Sequence, residues 1–117
     1  MTDHSAIAPH DPDAARLAVL RLLDADPSLT QRGLSQALGL SLGKTHYVLH
    51  ALLDKGLVKI GNFRRSDHKL AYAYVLTPAG LREKLRLTRR FLSRKETEFL
   101  QLQAVIAELR ADLERSA

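Results

Sequence analysis

The sequence predicts a mainly α fold carrying one small β-hairpin, and three observations point there. Three segments before residue 56 repeat their apolar residues at helical spacing, each bounded by start and stop signals. The apolar period then falls to two over Leu57–Ile60 and Ala71–Leu76, which reads as a pair of strands. Finally, no Gly or Pro occurs from Leu81 to the end, so one uninterrupted helix is expected there.

The elements follow in order. The first dozen residues hold Pro9 and Pro12 with no periodicity or capping pattern, and are expected to form a flexible arm over 1–12. From Asp13, Leu17, Leu20 and Leu23 (or Leu22) define a first helix that Pro27 ends, and Ser28-Leu29 is expected to add a very short strand. Thr30 caps a second helix, Gln31–Leu38, whose Leu34 and Leu38 share a face and whose stop is Gly39. Ser41 caps a third helix over 42–55, closed by Gly56. Between the two strands lies GNFRRSDHK, rich in turn formers and charge, which predicts an extended hairpin tip over 62–70. Thr77-Pro78 pairs an N-cap with proline at the first helical position and opens a last helix running to about Arg115.

Composition narrows the function. The chain has 117 residues, enough for one modest core, so a folded body over 13–77 followed by the long helix 78–117 is the expected organisation. There is no Cys, hence no disulfide or thiolate chemistry, and no apolar run approaches the length of a membrane span. Acidic residues stand near the N-terminus where a secretion signal needs positive charge, which predicts a cytoplasmic protein. The net charge of +5 favours a polyanionic partner. That charge is uneven: residues 1–27 carry five aspartates against two arginines, whereas 42–70 carry six Lys and Arg against two aspartates.

Helix, helix, tight turn, helix, strand, basic loop, strand is the winged helix-turn-helix order, and its chemistry matches the residues. A recognition helix buries one face and offers the other to the major groove. In the third helix Thr45, Val48, Leu49 and Leu52 form the inner stripe, leaving Leu42, Lys44, His46, Tyr47 and His50 outward. Lys44 suits guanine or phosphate, Tyr47 phosphate or stacking, and the two histidines either. Gly43 lets the backbone come close, and Ser41 at the cap is placed to clamp a phosphate. Arg64, Arg65, His68 and Lys69 at the hairpin tip would reach a minor groove or its phosphates. Gln31 and Arg32, opening the second helix, would add backbone contacts. The expected partner is double-stranded DNA.

The segment LSQALGLSLGKTHYVLHALLDKGLVKI, with NFRRSDHKLAYAYVLTPAGLREK after it, resembles the core of the MarR family of winged-helix regulators. More narrowly, SLGKTHYVLHALLDKGLVKIGNFRRSDHKLAYAYVLTPAG is similar to the MarR-like regulators associated with exopolysaccharide gene clusters. The resemblance implies a dimer that binds operator DNA and controls exopolysaccharide genes. The chain departs from the usual MarR pattern in reducing a two-part dimerisation domain to one long helix, so the ligand pocket of some relatives is not carried over and no effector is specified.

In that last helix Leu85, Leu92, Phe99, Ile106 and Leu113 recur every seven residues, with Leu102 and Leu109 at the companion position and Thr88 and Lys95 interrupting it. The pattern predicts a coiled-coil-like homodimer. Cations crowd its first half and carboxylates its second, which favours antiparallel pairing, whereas bringing two reading heads to adjacent half-sites favours parallel; both orientations stay open.

Blander readings compete with these. His46 and His50, one helical turn apart, resemble a metal pair, yet there is no Cys and no HExxH motif, so neither metal nor cofactor is expected. Tyr72 and Tyr74 alternate on a strand and read as packing residues. No phosphate loop, nucleophile motif or paired carboxylates point to an enzyme. The rival class is a winged-helix protein-interaction module that never touches DNA; a polar outward face together with a basic wing argues against it.

Overall fold

The computed structural model describes the backbone of residues 11–64 and 70–117 and the side chains of 11–61 and 73–117. Of the arm expected over 1–12, residues 1–10 lie outside the described residues, and Asp11 and Pro12 belong instead to the start of α1. The elements run α1 Pro12–Ala25, α2 Gln31–Leu38, α3 Leu42–Asp54, β1 Val58–Arg64, β2 Leu70–Leu76 and α4 Pro78–Ser116. They divide into two compact units, Met1–Leu85 and Arg86–Ala117.

The first helix begins one residue earlier than the leucine pattern suggests, because a capping pattern is present there after all. The Asp11 carboxylate accepts the Ala14 backbone N–H at 2.9 Å, and Pro12 occupies the first turn, where a missing N–H costs nothing. Thr30 caps α2 by accepting the Gly33 N–H at 3.0 Å, and Gly39, in the left-handed region at φ 67°, ends it. Gly56 ends α3 at φ 70°: its own N–H reaches the Leu53 carbonyl at 3.0 Å and the Leu57 N–H the Leu52 carbonyl at 2.9 Å, a Schellman closure that turns the chain into β1.

The core of the first unit is aliphatic. Leu17, Leu20 and Leu23 of α1, Leu34 of α2, and Leu49 and Leu52 of α3 are buried almost completely, with Val58, Ala73 and Leu76 of the hairpin against them. Leu23 takes the place in the core that the sequence left open between it and Leu22, which is half-buried.

β1 and β2 pair antiparallel, Val58 opposite Leu76 through Arg64 opposite Leu70, so the ladder extends well beyond the expected Ile60. The turn-forming residues Gly61 and Asn62 are thus accommodated in strand, where backbone pairing outweighs their local preference. The short strand expected at Ser28-Leu29 does not form. The Asp26 carboxylate instead accepts the Ser28 N–H at 3.0 Å and folds the segment into a local turn, and the neighbouring Pro27 carbonyl accepts the Tyr74 N–H of the sheet at 3.3 Å.

The junction between β2 and α4 is tightly made. Thr77 Oγ1 accepts the Gly80 N–H at 3.0 Å and donates to the Gly56 carbonyl at 2.6 Å, while the Thr77 N–H reaches the Leu57 carbonyl at 3.1 Å. A methyl group on Gly80 would lie 1.9 Å from that same Leu57 oxygen, so the approach requires glycine. Ion pairs from Arg16 to Glu83 (3.3 Å) and from Lys84 to Asp24 (2.6 Å) then hold the opening turns of α4 beside α1.

In the second unit Leu87 and Phe91 are buried, and the Arg94 guanidinium sits 4.9 Å above the Phe91 ring. Leu92, Phe99, Leu102, Ile106, Leu109 and Leu113 are exposed, as is Leu85 in the first unit. Among the described residues no helix is long and apolar enough to cross a membrane.

Candidate nucleic-acid interface

The site is built on α3, and local chemistry fixes where that helix starts. Ser41 Oγ accepts the Lys44 N–H at 3.1 Å, while the Ser41 carbonyl takes both the Thr45 N–H (3.0 Å) and the Thr45 hydroxyl (2.9 Å). Thr45 can therefore be fully buried with no unsatisfied polar atom. The Ser41 hydroxyl is exposed and has spent only an acceptor lone pair, so its proton is still available to a phosphate oxygen.

Thr45, Val48, Leu49 and Leu52 are the buried residues of α3. Ser41, Leu42, Gly43, Lys44, His46, Tyr47 and His50 are all exposed, Tyr47 to 71% and Leu42 to 45%. The Tyr47 ring is thus free of the core and, with Leu42, is presented to solvent on the same helix as the polar residues. The imidazoles of His46 and His50 lie 4.0 Å apart, centroid to centroid, tilted by 37°. Around Gly43 a methyl group would meet nothing within 4 Å, so the helix backbone here is open to close approach from outside.

Arg32 at the start of α2 is exposed. Its neighbour Gln31 is half-buried and engaged within the protein: Nε2 donates to the Tyr74 hydroxyl at 3.5 Å and Oε1 lies 3.2 Å from His46 Nδ1. One amide thus links a wing strand, through Tyr74, to the outward face of α3. Nothing in the linear order of residues signals this bridge, because the three are far apart along the chain; Tyr74 is half-buried and serves as packing and anchor rather than as a stacking platform.

Arg64 closes β1 opposite Leu70 at the described end of the ladder. Arg65, His68 and Lys69 lie outside the described residues. No group of three or more metal-ligating side chains occurs among the described residues.

A helix whose inner stripe is buried and whose outer face carries Lys44, His46, Tyr47 and His50, followed by a two-stranded ribbon, defines a winged helix-turn-helix module. A family model of winged helix-turn-helix DNA-binding domains matches residues 12–59. The fold is similar to that of the PcaV transcriptional regulator from Streptomyces coelicolor, solved with its natural ligand. That protein is 30% identical, with a TM-score of 0.57 over 85% of this chain and 72% of that one. The transcriptional repressor CouR is 27% identical, with a TM-score of 0.58 over 88% of this chain and 74% of that one. A MarR/EmrR family transcriptional regulator from Acinetobacter sp. ADP1 shares the fold at 19% identity, with a TM-score of 0.58 over 86% and 75%. No curated sequence matches the chain. The chain belongs to the family of winged helix-turn-helix transcriptional regulators that includes PcaV, and its fold is that of the MarR regulators.

Proposed function

We propose that the chain is a homodimeric, sequence-specific DNA-binding regulator of the cytoplasm that lays α3 in a major groove and its basic wing on the adjacent minor groove or backbone. The observation that carries this reading is the division of α3 into a buried aliphatic stripe and an exposed face of Lys44, His46, Tyr47 and His50. Lys44, Tyr47 and the histidines meet base edges, Ser41 and Arg32 meet phosphates, and Arg64, Arg65, His68 and Lys69 supply counter-charge from the wing. Gln31 acts indirectly, by holding His46 and Tyr74. The protein works by binding, without catalysis, cofactor or metal. The exposed seam of α4, including Leu85 and Leu92 through Leu113, joins two copies.

The operators we assign to exopolysaccharide genes, on the similarity of the Ser41–Gly80 stretch to regulators of such clusters. Genome-wide binding in the source organism tests this, and peaks confined to unrelated promoters would refute it.

Binding titrations on a panel of operator variants at several salt concentrations test the division of labour. Lys44→Ala or Tyr47→Ala should cost about 1–3 kcal/mol on the preferred sequence and flatten selectivity at one base position. Arg64→Ala with Arg65→Ala should weaken every sequence alike and lower the salt slope by about one for each phosphate no longer neutralised. Equal loss in both sets with unchanged base preference would refute the assignment.

A further inference from the structure

The segment Arg86–Ala117 carries two patterns on one helix. Its exposed apolar residues include Leu92, Phe99 and Ile106 at seven-residue spacing. Its charges are segregated: Arg86, Arg89, Arg90, Arg94 and Lys95 precede the first carboxylate, Glu96, and the remainder holds Glu96, Glu98, Glu108, Asp112 and Glu114 against Arg110 and Arg115. We infer that two copies of the chain pair through this segment antiparallel, about a two-fold axis close to Phe99. The inference rests on the homodimer proposed above and adds its orientation.

Packed helices lie about 8–10 Å apart, comparable to the Debye length of about 8 Å at physiological salt, so charges on neighbouring helices interact, though partly screened. A parallel pair sets the five cations of one copy beside the same five of the other. An antiparallel pair about Phe99 sets Arg86 opposite Asp112 and Arg90 opposite Glu108, and takes Arg94 and Lys95 away from their own copies. The two patterns share a centre. Arg90 stands as far before Phe99 as Glu108 stands after it, and Leu92 as far before it as Ile106 after it. One two-fold axis therefore brings Leu92 of one copy beside Ile106 of the other and matches the charge blocks at the same time. Two of the pairs formed within the helix, Lys95 to Glu98 at 3.2 Å and Arg115 to Asp112, are exposed and weak.

The natural chain has no cysteine, so a single engineered thiol reports one position without background. Sedimentation of the full chain comes first, and a dimer is expected; a monomer at tens of micromolar would overturn the homodimer reading and this inference together. A spin label on Ser116→Cys, an exposed position off the apolar seam's centre, should then give a label-to-label distance of about 50 Å, from twice the rise of 1.5 Å per residue between Phe99 and Ser116. A distance below about 20 Å means parallel helices, which overturns the orientation while leaving the dimer standing. Mixing Leu92→Cys and Ile106→Cys chains under mild oxidation should give mainly the mixed cross-link; equal self-cross-linking of both overturns the axis at Phe99. Raising sodium chloride from about 50 to about 300 mM should loosen the dimer several-fold, and a dimer unchanged or tightened by it overturns the matched charge blocks.

Discussion

Gly80→Ala is expected to destabilise the fold even though alanine is the better helix former. In the first turn of α4 the new methyl carbon would stand 1.9 Å from the Leu57 carbonyl oxygen, where ordinary contact begins at 3.4 Å, so backbone must separate by roughly 1.5 Å. Leu57 is held from the other side by the Gly56 turn, and its oxygen already accepts the Thr77 N–H at 3.1 Å, with Thr77 Oγ1 donating to Gly56 at 2.6 Å. The separation stretches both bonds, at about 1 kcal/mol each, and strain adds about 1–3 kcal/mol. Helix propensity returns about 1 kcal/mol, leaving a net loss of about 3 kcal/mol, or a fall in Tm of about 10 °C for a domain of this size. The control is Gly43→Ala, also in the first turn of a helix, where the methyl meets nothing within 4 Å and the gain should be about 0.5 kcal/mol. Thermal unfolding of the two variants beside the natural chain, at one protomer concentration, decides the matter. A Gly80→Ala protein that melts at or above Gly43→Ala would refute the claim that this glycine is required by the approach to Leu57. Gly43→Ala carries a second readout: it should melt higher yet bind DNA several-fold more weakly, because its methyl group sits on the face offered to the groove.

Leu49→Ala should cost about 2–5 kcal/mol in chemical denaturation, since Leu49 is fully buried where α3 meets the core, and a loss below 1 kcal/mol would mean the inner face is not the anchor. Gln31→Leu should keep the fold but release His46 and Tyr74, shifting selectivity at the base position that His46→Ala also affects; in a double-mutant cycle the two effects should be strongly non-additive, and independent effects would refute the bridge. Gln31→Glu, which can still accept from His46 and from the Tyr74 hydroxyl, should restore much of the natural preference.

Local physics wrote much of this molecule into the sequence. The caps Thr30, Ser41 and Thr77, the stops Gly39 and Gly56, and the stripe Thr45, Val48, Leu49 and Leu52 all follow from interactions within one or two turns, and a period of 3.6 or 2 states which side of an element is apolar. Asp11 and Pro12 were equally local, though the run of prolines around them masked the cap. What required the tertiary structure was contact between residues distant in the chain. The close approach of Gly80 to the Leu57 carbonyl has no trace in the linear order, and Gln31, expected at the DNA backbone, is engaged instead with Tyr74 and His46. Ser28-Leu29 read as a strand until Asp26 drew its backbone into a turn beside β2. Periodicity specifies what a segment can bury, but the partner that covers it, and the backbone separation the cover demands, exist only once the chain has closed on itself.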